Sequence, residues 1–207
     1  YPINKTNMAN IGGQKYGTTD DFLDLGQSGD NYTVGAVFTQ DAASRYLGVA
    51  VDGNVTTTQH TADAEYKGEM HGAAVPRGWT PEPGEEYVSP YRLTGDAELS
   101  LKVFPASDAQ ISGTITNVKI DDVMDVPGQI NLLSSAVTNG SYSGSVTHNL
   151  AGQNGGGSYD GAFYGDDAAE TAGTLSFSGQ IPGGVIPDVA GSTSYDAIAG
   201  FGAKKQP

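Results

Sequence analysis

Apolar residues recur at every second position over most of the chain and almost nowhere at helical spacing. Ala97, Leu99, Leu101 and Val103 fall on one side of a segment ending at Phe104. Ile111, Gly113 and Ile115 do the same within 111–120, with Ser112, Thr114 and Thr116 on the other side. A period of two marks a half-buried strand. The same reading predicts strands at Ala64–His71, Ile130–Val137, Tyr142–His148, Gly157–Tyr164, Gly173–Gln180 and Ser194–Ala203. Upstream, Tyr32–Thr39 and Leu47–Val51 predict two strands of a small sheet. Asn139-Gly140 is a two-residue hairpin signal, and Pro105–Asp108 and Pro127-Gly128 mark further turns. Gln40–Tyr46, opened by Asp41, and Asp166–Thr171, with Asp166 placed to cap it, carry the short helical signals. Residues 76–94 hold Pro76, Pro81, Pro83 and Pro90. Proline cannot donate to a ladder, so this stretch predicts a long loop. Gly152–Gly157 and Pro182–Gly191 predict two more.

Eight strands counted from Ala64, joined up and down, have one apolar face and no helix to cover it. They must fold back on themselves, and closure removes the exposed edges. The expected fold is all-β: an eight-stranded antiparallel up-and-down β-barrel over residues 59–207, preceded by a small β-rich handle domain over residues 1–58. A two-sheet sandwich is the alternative. In the handle, Tyr16, Phe22, Tyr32, Phe38 and Tyr46 would form a small core of its own.

Charge narrows the partners. Lys+Arg number 10 and Asp+Glu 24, a net −14; such a surface repels nucleic acids and anionic lipid heads. Charged residues make up 16%, against roughly 25% in an average domain. Cysteine is absent, which excludes disulfides, zinc–thiolate and iron–sulfur sites and a cysteine nucleophile. No apolar run is long enough for a membrane-spanning helix. The chain begins at Tyr1 without a signal-peptide core, so it is expected to be a mature or trimmed fragment.

The run Gly157-Ser158-Tyr159-Asp160-Gly161-Ala162-Phe163-Tyr164-Gly165-Asp166-Asp167-Ala168-Ala169-Glu170-Thr171-Ala172-Gly173-Thr174 resembles a segment of the transferrin-binding protein B-like barrel family, G-x-F-Y-G-x-x-A-x-E-x-x-G-T. Ala109–Ile115 and the closing Phe201-Gly202-Ala203-Lys204-Lys205-Gln206 resemble two further segments of that family. The resemblance covers about residues 60–207. It implies a barrel in which Gly161 and Gly165 bend a strand, Phe163 and Tyr164 pack on opposite sides, and Gly173 begins the return strand. It also implies a handle–barrel lobe, like those of single-lobe surface lipoproteins and haem-carrying hemophilins. The implied role is a non-enzymatic extracellular ligand-binding protein of a Gram-negative bacterium, surface-anchored or secreted. It would capture an iron source, a host protein or haem, for an outer-membrane receptor. The alternative is an adhesin or colonisation factor that binds a host protein or glycan.

Candidate chemistry is sparse. G-x-S-x-G, H-E-x-x-H and G-x-x-x-x-G-K-[ST] are all missing from the sequence. Gly155-Gly156-Gly157-Ser158-Tyr159-Asp160 approaches one turn of a calcium β-roll but occurs once, and stacked copies are needed. Asp121, Asp122 and Asp125 group carboxylates in a turn without EF-hand spacing. Of the histidines, His60 falls in a polar linker, and His148 is expected to point outward beside Thr147. His71 ends a strand beside the proline-rich loop; it is either a solvent-exposed residue or an axial ligand to haem, clamped with nearby aromatics. Binding residues concentrate on loops held by a rigid scaffold. Trp79, Tyr87 and Tyr91 of the longest loop, with His71, are the candidate ligand-binding residues; Trp79 could instead plug the barrel or pack on the handle.

Overall fold

The structure, a computed structural model, describes residues 21–40, 45–57, 60–77, 91–104, 109–183 and 193–207. Three strands come first: β1 (Asp21–Ser28), β2 (Tyr32–Gln40) and β3 (Arg45–Gly53). The barrel follows with β4 (Ala64–Pro76), β5 (Tyr91–Val103), β6 (Ala109–Ile120), β7 (Met124–Asp125), β8 (Ile130–Thr138), β9 (Ser141–His148), β10 (Gly155–Tyr164), β11 (Glu170–Ile181) and β12 (Thr193–Lys205). Each barrel strand pairs antiparallel with its neighbours. Pairing of β12 with β4 closes the ring, which decides for a barrel over a sandwich. The two-residue β7 is a spur on β6.

Several boundaries differ from the sequence reading. β1 adds a third strand to the handle sheet, in the order β1-β2-β3. Gln40 ends β2 and Arg45 and Tyr46 open β3, so no helix spans 40–46; residues 41–44 lie outside the described set. β4 runs on to Pro76 and β5 starts at Tyr91, which shortens the proline-rich loop at both ends. β10 starts at Gly155, so half of the Gly152–Gly157 stretch is strand. β11 starts at Glu170 rather than Gly173. Residues Asp166–Ala168 form one 3-10 turn with Gly165 at the cap position and no capping side chain, so Asp166 opens the turn instead of capping it. The turns at 105–108 and most of 182–191, and the side chains of Tyr16, Phe22, Phe38 and Tyr46, fall outside what is described.

The barrel interior is a continuous core in which Tyr66, Tyr159, Phe163 and Phe201 are the largest buried side chains. Phe163 meets Tyr66 and Tyr142 at ring-centroid distances of 5.5 Å and 5.4 Å. Three of the rings fit because each lies over a glycine of the adjoining strand. Tyr142 pairs with Gly161, Tyr159 with Gly144 and Phe201 with Gly173. A Cβ on Gly161 would sit 2.5 Å from the Tyr142 ring, and one on Gly173 2.5 Å from Phe201. These strand glycines make room for rings crossing the barrel. Buried hydroxyls find partners in the wall: Tyr66 donates to the Ala168 carbonyl at 2.9 Å, and Tyr142 and Thr171 share a hydrogen bond of 2.6 Å. The outward face carries Glu65, Lys67, Glu69, Glu98 and Lys102, the reverse of a lipid-facing barrel. Among the described residues no helix is long and apolar enough to cross a membrane.

The handle sheet lies on the outside of β10, β11 and β12. Tyr32, Val34 and Val49 pack against Ala162, Tyr164 and Ala172, so Tyr32 belongs to this seam and not to a separate handle core. Phe163 and Tyr164 do face opposite ways, one into the barrel core and one into the seam. Close approach depends on small residues in β12: a Cβ on Gly200 would meet Val34 Cγ1 at 2.1 Å. Burial, then the carboxylates of Glu170, Glu69 and Asp30, push the Tyr32 hydroxyl up to about 12. The linker crosses the rim as Val55 bridges Tyr164 and Thr56 N–H donates to the Phe163 carbonyl at 2.7 Å.

Candidate functional site

Of the four candidate residues the structure describes two, His71 within β4 and Tyr91 at the start of β5, and does not bring them together. Trp79 and Tyr87 lie outside the described residues, between Arg77 and Tyr91. Arg77 is tied down: its backbone N–H donates to the Ser194 carbonyl at 2.7 Å, and its Nε donates to Asp196 Oδ2 at 2.7 Å. The Arg77 guanidinium holds the Asp196 carboxyl below its ordinary range. Tyr91 opens β5 half-buried against the core. It borders a narrow apolar gap of about 30 Å³ with Leu93, Val118, Ile120, Phe177 and Tyr195.

His71 sits on the outer wall of β4, across from Thr94 of β5 and Gly200 of β12. Its Nε2 lies 3.0 Å from Glu69 Oε2, and the side chain is 15% exposed. Its Nδ1 is buried without a hydrogen-bond partner. The ring borders an open polar hollow of about 520 Å³, shared with Glu69, Arg92, Thr94, Asp96, Asn117, Lys119, Asp122 and Asp125.

The hollow exists because the β5–β6 ladder breaks there. Thr94 pairs with Lys119 but Asp96 with Thr116, so β6 carries an extra residue. Asn117 takes up the slack at φ 51° and donates from Nδ2 to Asp96 Oδ2 at 2.6 Å. A bulge of this kind re-aims neighbouring side chains. The acidic turn beyond it is already occupied by cations. Arg92 donates from Nη1 to Asp122 Oδ2 at 2.7 Å and from its backbone to Asp121 Oδ1 at 2.9 Å, and Lys119 lies 3.7 Å from Asp125. The described residues hold no group of three or more ligating side chains that could bind a metal ion.

Among the described residues His71 presents no free imidazole nitrogen to a dry pocket. Iron needs a free imidazole nitrogen in a dry pocket. One nitrogen of His71 faces a carboxylate, the other is buried, and the adjoining space is polar. The other two histidines have other surroundings. His148 points into the barrel, not outward. It is 3% exposed, its Nε2 lies 3.0 Å from the Ser178 carbonyl, and its ring meets Phe177. His60 stacks edge-on against Phe163 at 4.4 Å, where burial and then Lys205 hold its pKa below the usual imidazole value.

Glu170, the acid of the recognised segment, has a placement that sequence reasoning did not foresee. It is 2% exposed and reaches out to the turn between β1 and β2. It accepts the backbone N–H groups of Asp30 and Asn31 at 2.9 Å and 2.8 Å, and Asn31 Nδ2 at 3.0 Å. Lys204 bridges Asp30 at 3.0 Å and approaches Glu170 at 3.6 Å. One carboxylate thus fastens the handle's tip to the barrel.

Such an architecture, a closed eight-stranded barrel with a small sheet docked outside it, has solved counterparts. A transferrin binding protein B from Actinobacillus pleuropneumoniae, solved as a point mutant, superposes with a TM-score of 0.50 at 15% identity, over 96% of this chain and 85% of that one. The barrel has the transferrin-binding protein B-like fold. The isotype 1 transferrin binding protein B of serogroup B Neisseria meningitidis is also similar, with a TM-score of 0.48 at 18% identity over 95% of this chain. The chain spans 36% of the length of the Neisseria protein. No protein-family model and no curated protein matches the sequence.

Proposed function

We propose that the chain is a non-enzymatic, extracellular binding protein of a Gram-negative bacterium that captures an iron source and delivers it to an outer-membrane receptor. The source is a host iron-carrying protein, and the chain sits at the outer-membrane surface or is secreted. The observation that carries this reading is the β4–β5 end. There the barrel wall carries a bulge hollow lined by Arg92, Lys119 and several carboxylates, and the sequence joining β4 to β5 holds Trp79 and Tyr87. Aromatic anchors beside a polar, charged rim are the usual make-up of a protein-binding surface. The structurally similar proteins are transferrin-binding by name, which supports a protein ligand of that kind.

The test is retention of iron-loaded transferrin on the immobilised chain, with the metal-free carrier as control. The iron-loaded form is expected to bind more tightly. Trp79→Ala with Tyr87→Ala should weaken it at least tenfold, equivalent to about 1.4 kcal/mol. Equal retention by the double variant would refute the assignment of the surface. A saturable Soret band on haem addition, lost in His71→Ala, would replace the protein ligand with haem.

A further inference from the structure

The two edges of the handle sheet are treated differently. β1 is broken by a register shift between Leu23 and Gln27 and carries Asp21 and Asp24. Bulges and charges are the usual ways an edge is protected from pairing with another chain. β3 has neither over its middle. It pairs with β2 in unbroken register from Arg45 to Gly53, and Leu47–Val51 is uncharged. Among the described residues its one hydrogen-bonded neighbour is β2.

Beside that edge lies a groove of about 640 Å³, inside the range of roughly 300–1,000 Å³ for ligand sites. Val49, Ala50 and Val51 all line it. Successive side chains of a strand point to opposite faces, so three residues in a row can border one space only along the strand's edge, where the N–H and C=O groups lie. The facing wall is the outside of the barrel, where Thr138, Ser141, Ser143 and Thr174 present hydroxyls. Asp160 is the only carboxylate among the described lining residues. It is exposed and has no ion-pair partner among them.

We propose that this groove docks an extended segment of a partner protein, which joins the handle sheet as a fourth strand beside β3. Main-chain hydrogen bonds to the edge supply the affinity, and the side chains facing the barrel supply the selectivity. The segment has small or β-branched uncharged residues facing the hydroxyl wall, with one lysine or arginine opposite Asp160. A second copy of this chain is a poor occupant, because each copy carries a net charge of −14 and like charges oppose pairing. A neutral glycan would satisfy the hydroxyls but leave the edge of β3 unpaired. This surface is separate from the β4–β5 end, and the inference does not depend on the function proposed there.

The experiment is selection from a random linear dodecapeptide phage library on the intact chain. Enriched peptides should share an alternating small or β-branched pattern with one basic residue. N-methylation of the alternate amides that face β3 should weaken binding at least tenfold, and methylation of the other set less than twofold. Asp160→Lys, at an exposed position with no ion-pair partner among the described residues, should fold normally by circular dichroism and select acidic peptides instead. No enrichment, equal loss from both methylation sets, or indifference to Asp160→Lys would overturn the proposal. So would concentration-dependent dimerisation through this edge in sedimentation, or binding of a neutral oligosaccharide that the selected peptides displace.

Discussion

Strands β10, β11 and β12 each have two working faces. Inward, they contribute Phe163, Leu175 and Phe201 to a core of interlocking rings. Outward, the same strands present Ala162, Ala172 and Gly200 to the handle. The inner face gains stability from large apolar side chains that leave no room for adjustment. The outer face is held by close backbone approach, a few valines and one buried carboxylate. The same three strands thus combine a permanent core with a seam of much smaller energy.

The most damaging change should strike the inner face. Phe201→Ala removes a fully buried ring and should cost about 3–5 kcal/mol. At roughly 2–4 °C per kcal/mol for a domain of this size, the melting temperature should fall by about 10 °C, with handle and barrel lost together. A handle that stays folded after the barrel has melted in calorimetry would contradict this.

A smaller effect, and a local one, should follow from the seam. Glu170→Ala leaves the β1–β2 turn without its acceptor, a loss of about 1–3 kcal/mol. Gly200→Val would attack the same seam by steric clash with Val34. In both variants hydrogen exchange should quicken in β1–β3 while amides of β10 and β11 keep their protection. Uniformly faster exchange would mean that handle and barrel are one cooperative unit.

The smallest effect concerns pH. Folded His60 has its pKa lowered by burial and by Lys205, whereas unfolded it takes up a proton near pH 6.5. Its contribution is present above that value and lost as the pH falls below it. Denaturant titrations at pH 7.5 and 5.5 should show a loss of stability on acidification, and His60→Gln should lose less. An identical pH dependence in the variant would remove His60 from the account.

The barrel was legible because its period-two pattern is regular and its interior is continuous. β1 was not, because its apolar residues are interrupted by Asp24, Gly26 and the register shift between Leu23 and Gln27. The Pro-rich composition of 76–94 hid the start of β5, since Tyr91–Thr94 follows Pro90 directly. His148 shares its parity with Tyr142 and Val146; its polarity argued for the surface, but the barrel end supplies the Ser178 carbonyl and Tyr195 as partners. At the candidate site, His71 and Tyr91 could be placed by strand register, but the hollow beside His71 depends on a bulge at Asn117 that carries no strong sequence mark. The role of Glu170 was invisible for another reason: its partners lie about 140 positions earlier in the chain.

The ring is closed by β12 against β4, strands separated by more than a hundred residues, and the handle is seated on that same β12. Order of synthesis therefore becomes part of the design. While β12 is missing, β4 and β11 each expose an unpaired edge and the handle lacks part of its seat, so the barrel stays open. Pairings this distant in sequence form slowly, in milliseconds to seconds. Closure of the barrel and docking of the handle become a single late event, and a chain stalled before Thr193 would leave two adhesive margins exposed.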